Sequence, residues 1–429
     1  MEEAMKEKLF IGAYWGPLRS EEVKDEDGNV VYRSENFVTD KYYKLIADTG
    51  VRTITCIDTD FAEKPEEVLE NLKLAEKHGL QIFVKDTGIH ENMTDEQLHA
   101  RLSNYNTYAS FGGIYVVDEP STDGYLKSQI KRRIQRHYGV MQLLERNNIL
   151  AYMNMLPWFR FLGTKKAYRE MFENYVTFCK TPLISWDRYI FDDKRTATHK
   201  LTKTFFWNLE VAKEYADKAG IPFYPFVQAG GQWNDGQKRF ESEPYYPTDT
   251  QFLWNVNVCL LWGAKGIQYF PLIQPYWFAY APEGEMDYGR NGVIGANGEP
   301  TLWYPAVQRA NQWMFKIEDI LMKSIRQNIL AKGKYSEEYT GYTEDGDDII
   351  CGIEIGDEKN GTLIGVFDYA DKKMYMVLNY NHDKEQDITL TFDKKRNFEV
   401  ISEDGCQNCQ AKRVVLSLTA GAAALLIVE

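Results

Sequence analysis

Two carboxylic acids stand where apolar runs end, a position from which a carboxyl group can do acid–base chemistry. Glu119 closes the run YVVDEP, and Asp187 lies between aromatic residues in ISWDRY. Partial burial raises the pKa of a carboxyl group and so prepares it to donate a proton. We take Glu119 as the candidate general acid and Asp187 as the candidate second carboxylate. A structural salt bridge for Glu119, and a hydrogen bond to a ligand or to Arg188 for Asp187, remain as alternatives.

Further polar and aromatic side chains follow the same kind of apolar run. Asp118 precedes Glu119 and, in an extended chain, is expected to point the opposite way, which makes it a weaker partner. Flat rings with polar edges suit the faces of sugars, and carboxylates and amides bind hydroxyl groups. The candidate substrate-binding residues are Tyr14, Trp15, Asp58, Asp60, Lys85, Asp86, Asn154, Trp186, Tyr189, Gln228, Trp233, Tyr269 and Trp277.

The elements that must position these residues are eight short apolar runs separated by helical patterns. Each run is followed by apolar residues at three- and four-residue spacing or by a loop, as expected of alternating strands and helices. Eight strand–helix units close into a parallel barrel, whose reacting groups lie at the carboxyl ends of the strands. The predicted strands lie in 9–15, 51–60, 80–86, 112–120, 149–156, 182–191, 221–230 and 265–273.

The pattern changes after about residue 325. From Asn328 onward the apolar residues alternate in period two, with turn residues at short intervals, which predicts an antiparallel β-sandwich. The sequence therefore predicts a (β/α)8 TIM barrel in residues 1–325 and a C-terminal β-sandwich domain in residues 326–429. An open doubly wound sheet is the alternative for the first part, but GAYWGP after the first strand is not a glycine-rich phosphate turn.

Composition excludes several classes of partner. The net charge of −13 disfavours nucleic acid and anionic membrane surfaces, and no apolar stretch has the length of a membrane span. The six histidines form no metal-binding pattern, so we expect no metal and no cofactor. MEEAMKEKLF lacks the apolar region of a signal peptide, which leaves a cytoplasmic protein and a secreted one with its signal removed both open. The sequence does not indicate an oligomeric state.

Several segments resemble clan A-type (β/α)8 glycoside hydrolases, nearest to the β-galactosidase-like barrels of family 42 and uncharacterised relatives in gut bacteria. The resemblance rests on NLKLAEKHGLQIFVKD, GGIYVVDEPS, ISWDRYIF and WNVNVCLLWGAKGIQYFPLIQP. It implies that Glu119 is the proton donor, because the Asp-Glu-Pro strand of such enzymes supplies that group. One departure stands out: FYPFVQAGGQW has Gln228 on the seventh strand, where such barrels carry a nucleophilic glutamate.

Three functional hypotheses follow. The first is a glycoside hydrolase that cleaves an O-glycosidic bond in an oligosaccharide or glycan, with carbohydrate as its partner. The second is a catalytically lapsed carbohydrate-binding barrel, which Gln228 favours. The third is a barrel lyase or isomerase that uses Lys85 or an aspartate. A second carboxyl group roughly 5–10 Å from Glu119 would favour hydrolysis over binding alone.

Overall fold

The computed structural model describes most of the chain, and all statements of structure below concern that part of it. The described residues are 8–24, 27–90, 92–119, 150–158, 163–178, 181–191, 200–231, 245–275, 291–333, 343–344, 346–357 and 360–429.

Eight of the first ten strands form a closed parallel barrel, which confirms the predicted fold. Around the barrel the strands follow one another in chain order, and the last pairs with the first. The other two strands form a small hairpin in the loop that follows the first strand, and this hairpin was not predicted. The strands are β1 Phe10–Tyr14, β2 Glu22–Lys24, β3 Val30–Arg33, β4 Thr53–Cys56, β5 Gln81–Lys85, β6 Phe111–Asp118, β7 Leu150–Met155, β8 Ile184–Trp186, β9 Phe223–Gln228 and β10 Gly266–Phe270.

The described helices connect these strands and cover the barrel. Thr94 and Thr248 each begin a helix with a capping box, in which the threonine side chain and a glutamine three residues later satisfy free backbone N–H groups. The helix predicted over 125–147 lies outside the described residues. The helices are α1 Asp40–Asp48, α2 Pro65–Lys77, α3 Asp95–Leu102, α4 Lys165–Phe178, α5 Lys200–Ala219, α6 Asp249–Leu261 and α7 Trp303–Lys323. In the described chain, no helix is long and apolar enough to cross a membrane.

Aromatic rings fill the lower part of the barrel. Phe10 stacks on Tyr224 with ring centroids 4.5 Å apart, and Phe83 packs against Tyr152 at 5.1 Å. These side chains come from four different strands and are almost fully buried. The interior is therefore a packed core, as is usual in such barrels.

The C-terminal part is a curled antiparallel sheet, in agreement with the predicted sandwich-like domain. Along the sheet the order is β12-β11-β14-β15-β18-β16-β13, with β17 paired to β16, and only β11 and β12 run parallel. The long strand β16 pairs with β13 through its first half and with β18 through its second, which curls the sheet. The strands are β11 Ser324–Gly333, β12 Thr343–Glu344, β13 Ile350–Ile355, β14 Gly361–Tyr369, β15 Lys372–Asn379, β16 Gln386–Ile401, β17 Cys406–Leu418 and β18 Ala423–Val428.

Both faces of the central strands are buried. On β15, Met374 and Met376 belong to the core that the sheet shares with the barrel, whereas Tyr375 and Val377 belong to a second core inside the sheet domain. A strand buried on both faces reads as a continuous apolar run, as AALLIV in β18 does. Helix α7 ends at Lys323 and β11 starts at Ser324, while the division into domains 1–325 and 326–429 stays a prediction.

Candidate active site

Glu119 and Asp187 lie at the carboxyl end of the barrel strands. Glu119 follows β6 directly, and its backbone has a φ of 41°, in the left-handed region that non-glycine residues rarely adopt. Its N–H donates to the Asn154 carbonyl oxygen at 3.0 Å, which holds this turn against β7. Asp187 follows β8 and is only 6% exposed, whereas Glu119 is exposed. The two residues therefore come from strands separated by β7 and meet above it.

The two carboxyl groups lie close enough together to influence each other's ionisation. Although much of the Glu119 residue is exposed, partial removal of its carboxyl group from water raises its pKa, and the negative charge of Asp118 raises it further. The pKa of Asp187 is raised well above its usual value, first by burial and then by the charge of Glu119. Two carboxyl groups in contact cannot both ionise easily, so the pair holds one shared proton to higher pH than an isolated carboxyl would.

Asp118 is a third acidic group in the same cluster. Its carboxylate accepts a hydrogen bond from the Tyr14 hydroxyl at 3.2 Å and from Asn154 Nδ2 at 3.3 Å. Burial raises its pKa, and its charge raises the pKa of both Glu119 and Asp187. Strict alternation along β6 would place Asp118 and Glu119 on opposite faces, but the left-handed turn at Glu119 ends the extended conformation between them.

Asn154 connects the acidic groups from below. Its Nδ2 donates to Asp187 Oδ1 at 2.8 Å as well as to Asp118, and the side chain is buried. Hydrogen bonds to the ionised form of a carboxyl group favour that form, so Asn154 partly offsets the rise in pKa that burial causes.

Aromatic rings flank the acidic cluster. Tyr189 stacks on Phe270 with centroids 5.1 Å apart, and Trp15 packs on the other side of this group at 4.9 Å from Phe270. Phe270 is the last residue of β10 and is partly exposed, a strand-end position that the sequence shows but that we did not select. Tyr115, also not selected, contacts the Tyr14 hydroxyl through its own at 2.9 Å.

Lys85 and the aspartates that follow β4 and β5 lie on another side of the mouth of the barrel, by which we mean the carboxyl end of its strands. Lys85 Nζ contacts Asp58 Oδ1 at 3.0 Å, and both side chains are partly exposed. Asp60 instead accepts hydrogen bonds from two backbone N–H groups of the surrounding loops. Asp86 is buried, ion-paired to Arg101 and hydrogen-bonded to the Tyr105 hydroxyl. The structure thus gives Asp60 and Asp86 partners within the protein.

Gln228 holds backbone in place instead of facing the cluster. Its Nε2 donates to the carbonyl oxygens of Phe191 and Gly230 at 2.8 and 2.9 Å, and its Oε1 accepts from the Phe191 N–H at 3.1 Å. All polar atoms of the amide therefore have backbone partners. Such an amide orders the loops that follow β8 and β9.

Two predicted aromatic residues are fully buried in the core. Trp186 packs 6.0 Å from the ring of Phe205 on α5, and the Tyr269 hydroxyl donates to Asn311 Oδ1 of α7 at 2.6 Å. The structure thus places both rings against the outer helices. Trp233 and Trp277 lie outside the described residues.

A small pocket lies between the end of β1 and the segments that flank the β2–β3 hairpin, and none of Asp118, Glu119 and Asp187 is among the described residues that line it. Its volume is about 30 Å³, and its lining includes Trp15, Arg19, Glu35, Phe37 and Asp58. In the described part of the chain, no group of three or more histidine, cysteine or acidic side chains has the arrangement of a metal site. The chemistry that the described residues offer is proton transfer and attack by carboxyl groups.

Solved structures of glycoside hydrolases share this architecture. A family 27 β-L-arabinopyranosidase from Geobacillus stearothermophilus aligns over 100% of this chain and 98% of its own, with 9% identity and a TM-score of 0.50. The likeness is one of fold. A family 51 arabinofuranosidase from Xanthomonas axonopodis pv. citri aligns over 99% and 96% of the two chains, with 8% identity and a TM-score of 0.48. A β-galactosidase from the psychrophilic Marinomonas ef1 aligns over 72% and 59%, with 10% identity and a TM-score of 0.45.

Sequence comparisons add no family. No family model matches this chain, and no curated protein is significantly similar to it. At 9% identity the family 27 structure supports the fold, but it does not transfer a substrate or a catalytic residue.

Proposed function

We propose that this protein is a glycoside hydrolase that cleaves an O-glycosidic bond in an oligosaccharide or glycan. One observation carries the proposal: Glu119 and Asp187 lie close together at the open end of the barrel, and burial raises the pKa of both, with the charge of Asp118 adding to the rise at Glu119 and the charge of Glu119 adding to it at Asp187. Glycosidic bonds are broken by one carboxyl group that donates a proton and a second that attacks or activates water. Glu119 is the general acid in this proposal, and Asp187 is the second carboxylate.

The environments of the two groups suit this division of roles. Asp187 is buried and held by Asn154, whereas Glu119 is exposed and carries a longer side chain. In retaining enzymes the two carboxyl groups are about 5–5.5 Å apart, and in inverting enzymes about 6.5–9.5 Å. A sugar bound between them must therefore hold the two carboxyl groups at one of these two separations.

The rings around the cluster supply a surface for the sugar. Trp15, Tyr189 and Phe270 pack together beside the acidic groups, and all three are at least partly exposed. Stacking on aromatic faces binds a pyranose or furanose without requiring charge. A neutral carbohydrate fits this site, because three acidic groups within it repel an anionic one.

A carbohydrate-binding barrel without hydrolytic activity is the second candidate. The observation that favours it is Gln228 at the end of β9, whose amide is hydrogen-bonded to backbone groups. The glycoside hydrolases that the sequence resembles carry a nucleophilic glutamate at this position. Under this alternative the same rings and carboxylates bind a glycan, and no bond is broken.

Hydrolysis of a broad panel of glycosides and oligosaccharides tests the proposal. We expect Glu119→Gln to lower kcat/KM on the order of 10²- to 10⁴-fold, because an amide cannot donate the proton, and Asp187→Asn to lower it at least as far. The pH–rate profile of the wild type should be bell-shaped, since one carboxyl group of the pair must be protonated and the other ionised. Glu299→Gln, which changes an exposed carboxylate in the loop before α7, is the matched control and should keep full activity.

Three results would each remove the assignment or a part of it. Wild-type protein that binds glycans but cleaves none of the panel is the binding barrel of the second candidate. Full activity of Glu119→Gln, with folding verified by circular dichroism, would remove Glu119 from the reaction. Full activity of Asp187→Asn would likewise remove Asp187 and move the second role elsewhere in the cluster.

A further inference from the structure

A layer of buried polar side chains lies directly beneath the acidic cluster, inside the barrel. Tyr152 on β7, Ser185 on β8 and Gln268 on β10 each have no measurable exposure. A buried polar group destabilises the fold unless its hydrogen bonds are satisfied, and an aliphatic side chain would fill the same space without that requirement. Because none of the three side chains is exposed, they act on the site through their neighbours.

The orientation of the Gln268 amide is fixed by a backbone carbonyl. Its Nε2 lies 2.9 Å from the Tyr224 carbonyl oxygen, which can only accept a hydrogen bond. The nitrogen must therefore face Tyr224, and Oε1 must face the Tyr152 hydroxyl, which donates to it at 2.7 Å. The amide has one further N–H, and this donates to Ser185 Oγ at 2.7 Å.

The Ser185 hydroxyl, which accepts a hydrogen bond from Gln268, in turn orients the amide of Asn154. The Tyr152 hydroxyl hydrogen is already used on Gln268, and Ser185 Oγ lies 2.8 Å from the Tyr152 oxygen and 3.0 Å from Asn154 Oδ1. The Ser185 hydroxyl donates to Asn154 Oδ1, and this contact turns the oxygen of the amide towards the interior. The Asn154 nitrogen must then face the mouth, where it donates to Asp187 at 2.8 Å and to Asp118 at 3.3 Å.

We infer that Tyr152, Ser185 and Gln268 are positioning residues, which hold the Asn154 amide with both N–H groups towards Asp118 and Asp187. The hydrogen-bond direction runs from the Tyr224 carbonyl through Gln268 and Ser185 to Asn154. If the amide turned by 180°, its oxygen would face the carboxylates and would favour their protonated forms. The relay thus keeps Asp187 able to act as a carboxylate in spite of its burial. The catalytic part of this inference rests on the proposed function.

Titration of the carboxyl groups tests the relay without any need for turnover. Carbon-13 NMR of protein labelled at aspartate follows Asp118 and Asp187, with the Asp187→Asn spectrum used for assignment. In Ser185→Ala and in Tyr152→Phe we expect these groups to titrate at higher pH than in the wild type. Thr55→Val is the matched control, because the buried Thr55 hydroxyl on β4 donates only to the Ala13 carbonyl oxygen, and it should leave the titration unchanged.

Kinetics supplies the second readout. A hydrogen bond to a charged group contributes about 1.5–3 kcal/mol, so at neutral pH we expect kcat of Ser185→Ala to fall about tenfold or more, with KM little changed. The pH–rate profile should shift upwards, and Ser185→Thr, which restores a hydroxyl, should move it back. A purely structural role would lower the melting temperature without moving the profile.

The outcomes separate this inference from the proposed function. Unchanged carboxyl titration in both Ser185→Ala and Tyr152→Phe, with both variants folded, would overturn the relay. A shifted titration in a protein that hydrolyses no glycoside would support the relay and remove the glycosidase assignment. Should Ser185→Ala fail to fold, Tyr152→Phe decides, since it removes only the hydroxyl that contacts Gln268 Oε1 and Ser185 Oγ.

Discussion

Asp187 combines deep burial with two acidic neighbours, and this arrangement has a consequence for stability. Burial and the charges of Glu119 and Asp118 raise the pKa of its carboxyl group in the folded protein well above the unfolded value. The folded state therefore holds the proton to higher pH than the unfolded state does. The stability linked to that proton is present below the unfolded pKa and is lost as the pH rises through the folded pKa.

We expect Asp187→Asn to raise the free energy of unfolding at neutral pH by about 0.5–2 kcal/mol, although the proposed function gives this carboxylate a part in catalysis. The amide has nearly the same shape, carries no charge, and can still meet Asn154. Thermal and urea denaturation of the wild type and the variant at pH 7 and at acidic pH measure the effect. The difference should shrink as the pH falls below the unfolded pKa, where the wild-type carboxyl is protonated in both states.

Asp371→Asn controls for the loss of one negative charge. Asp371 is exposed on the C-terminal sheet, and its replacement should change stability by no more than about 0.5 kcal/mol. An Asp187→Asn protein that is clearly less stable than the wild type at pH 7 would show that the carboxylate is a structural group, contrary to the site described above.

At the scale of elements, one lysine joins the end of the barrel to the start of the C-terminal sheet. Lys265 precedes β10, and its ammonium group donates to the carbonyl oxygens of Leu321, near the end of α7, and Ser324, at the start of β11. The pKa of Lys265 is lowered from 10.5 to about 8. Burial is the main cause, and the nearby positive charge of Lys213 contributes to the same decrease.

This shift predicts stability that increases with pH above about pH 8. In the unfolded chain the lysine stays protonated up to its ordinary pKa of 10.5, whereas in the folded protein it loses its proton near pH 8. Between these values the unfolded state binds more protons, so the free energy of unfolding increases with pH, by at most about 1.4 kcal/mol for each unit. Urea denaturation at a series of pH values should show this increase in the wild type and not in Lys265→Met.

Lys316→Met is the matched control for the junction. Lys316 also donates to backbone carbonyl oxygens, those of Ser402 and Glu403, but at an exposed position. Its replacement should leave the pH dependence of stability as it is in the wild type. Equal pH dependence in wild type and Lys265→Met would show that Lys265 keeps its proton throughout this range.

At the scale of the whole molecule, the barrel and the sheet share one apolar core. Helix α6 is buried on all sides, because the strands of the barrel lie on one side of it and the C-terminal sheet on the other. Asn257 on α6 donates to the Gly421 carbonyl oxygen at 3.0 Å, and the ring of Trp254 lies 5.4 Å from that of Tyr380. The two parts should therefore unfold together.

Gly421→Ala tests this coupling. Gly421 has a φ of 68°, and a β-carbon there would meet the Thr250 carbonyl oxygen and the Trp254 side chain of α6. We expect the free energy of unfolding to decrease by about 2–4 kcal/mol. Calorimetry should show a single transition at a lower temperature than in the wild type, in which barrel and sheet unfold together. Gly405→Ala is the control, since a β-carbon there would meet nothing within 4 Å and its φ is not positive. Two separate transitions would contradict the shared core.

The sequence by itself determined the architecture. Eight apolar runs with β-branched residues, separated by amphipathic helices, have few alternatives to a parallel barrel, because each crossover is right-handed and the eighth strand closes the sheet. The change to period-two alternation near residue 325 likewise indicated the antiparallel sheet. Strand ends also identify which residues can reach the mouth, and for this reason Glu119, Asp187 and Asn154 could be selected together.

Only the tertiary structure decided what each of those side chains contacts. The β6–β7 register shifts between Tyr115 and Val117, and the left-handed turn at Glu119 follows, so alternation does not predict that Asp118 joins the cluster. Asp86 has Arg101 as its partner and Gln228 has backbone groups, and both partners are distant in sequence. A strand-end position fixes where a residue lies, but its hydrogen bonds depend on neighbours brought close only by folding, and so a sequence pattern cannot separate a catalytic carboxylate from a structural one.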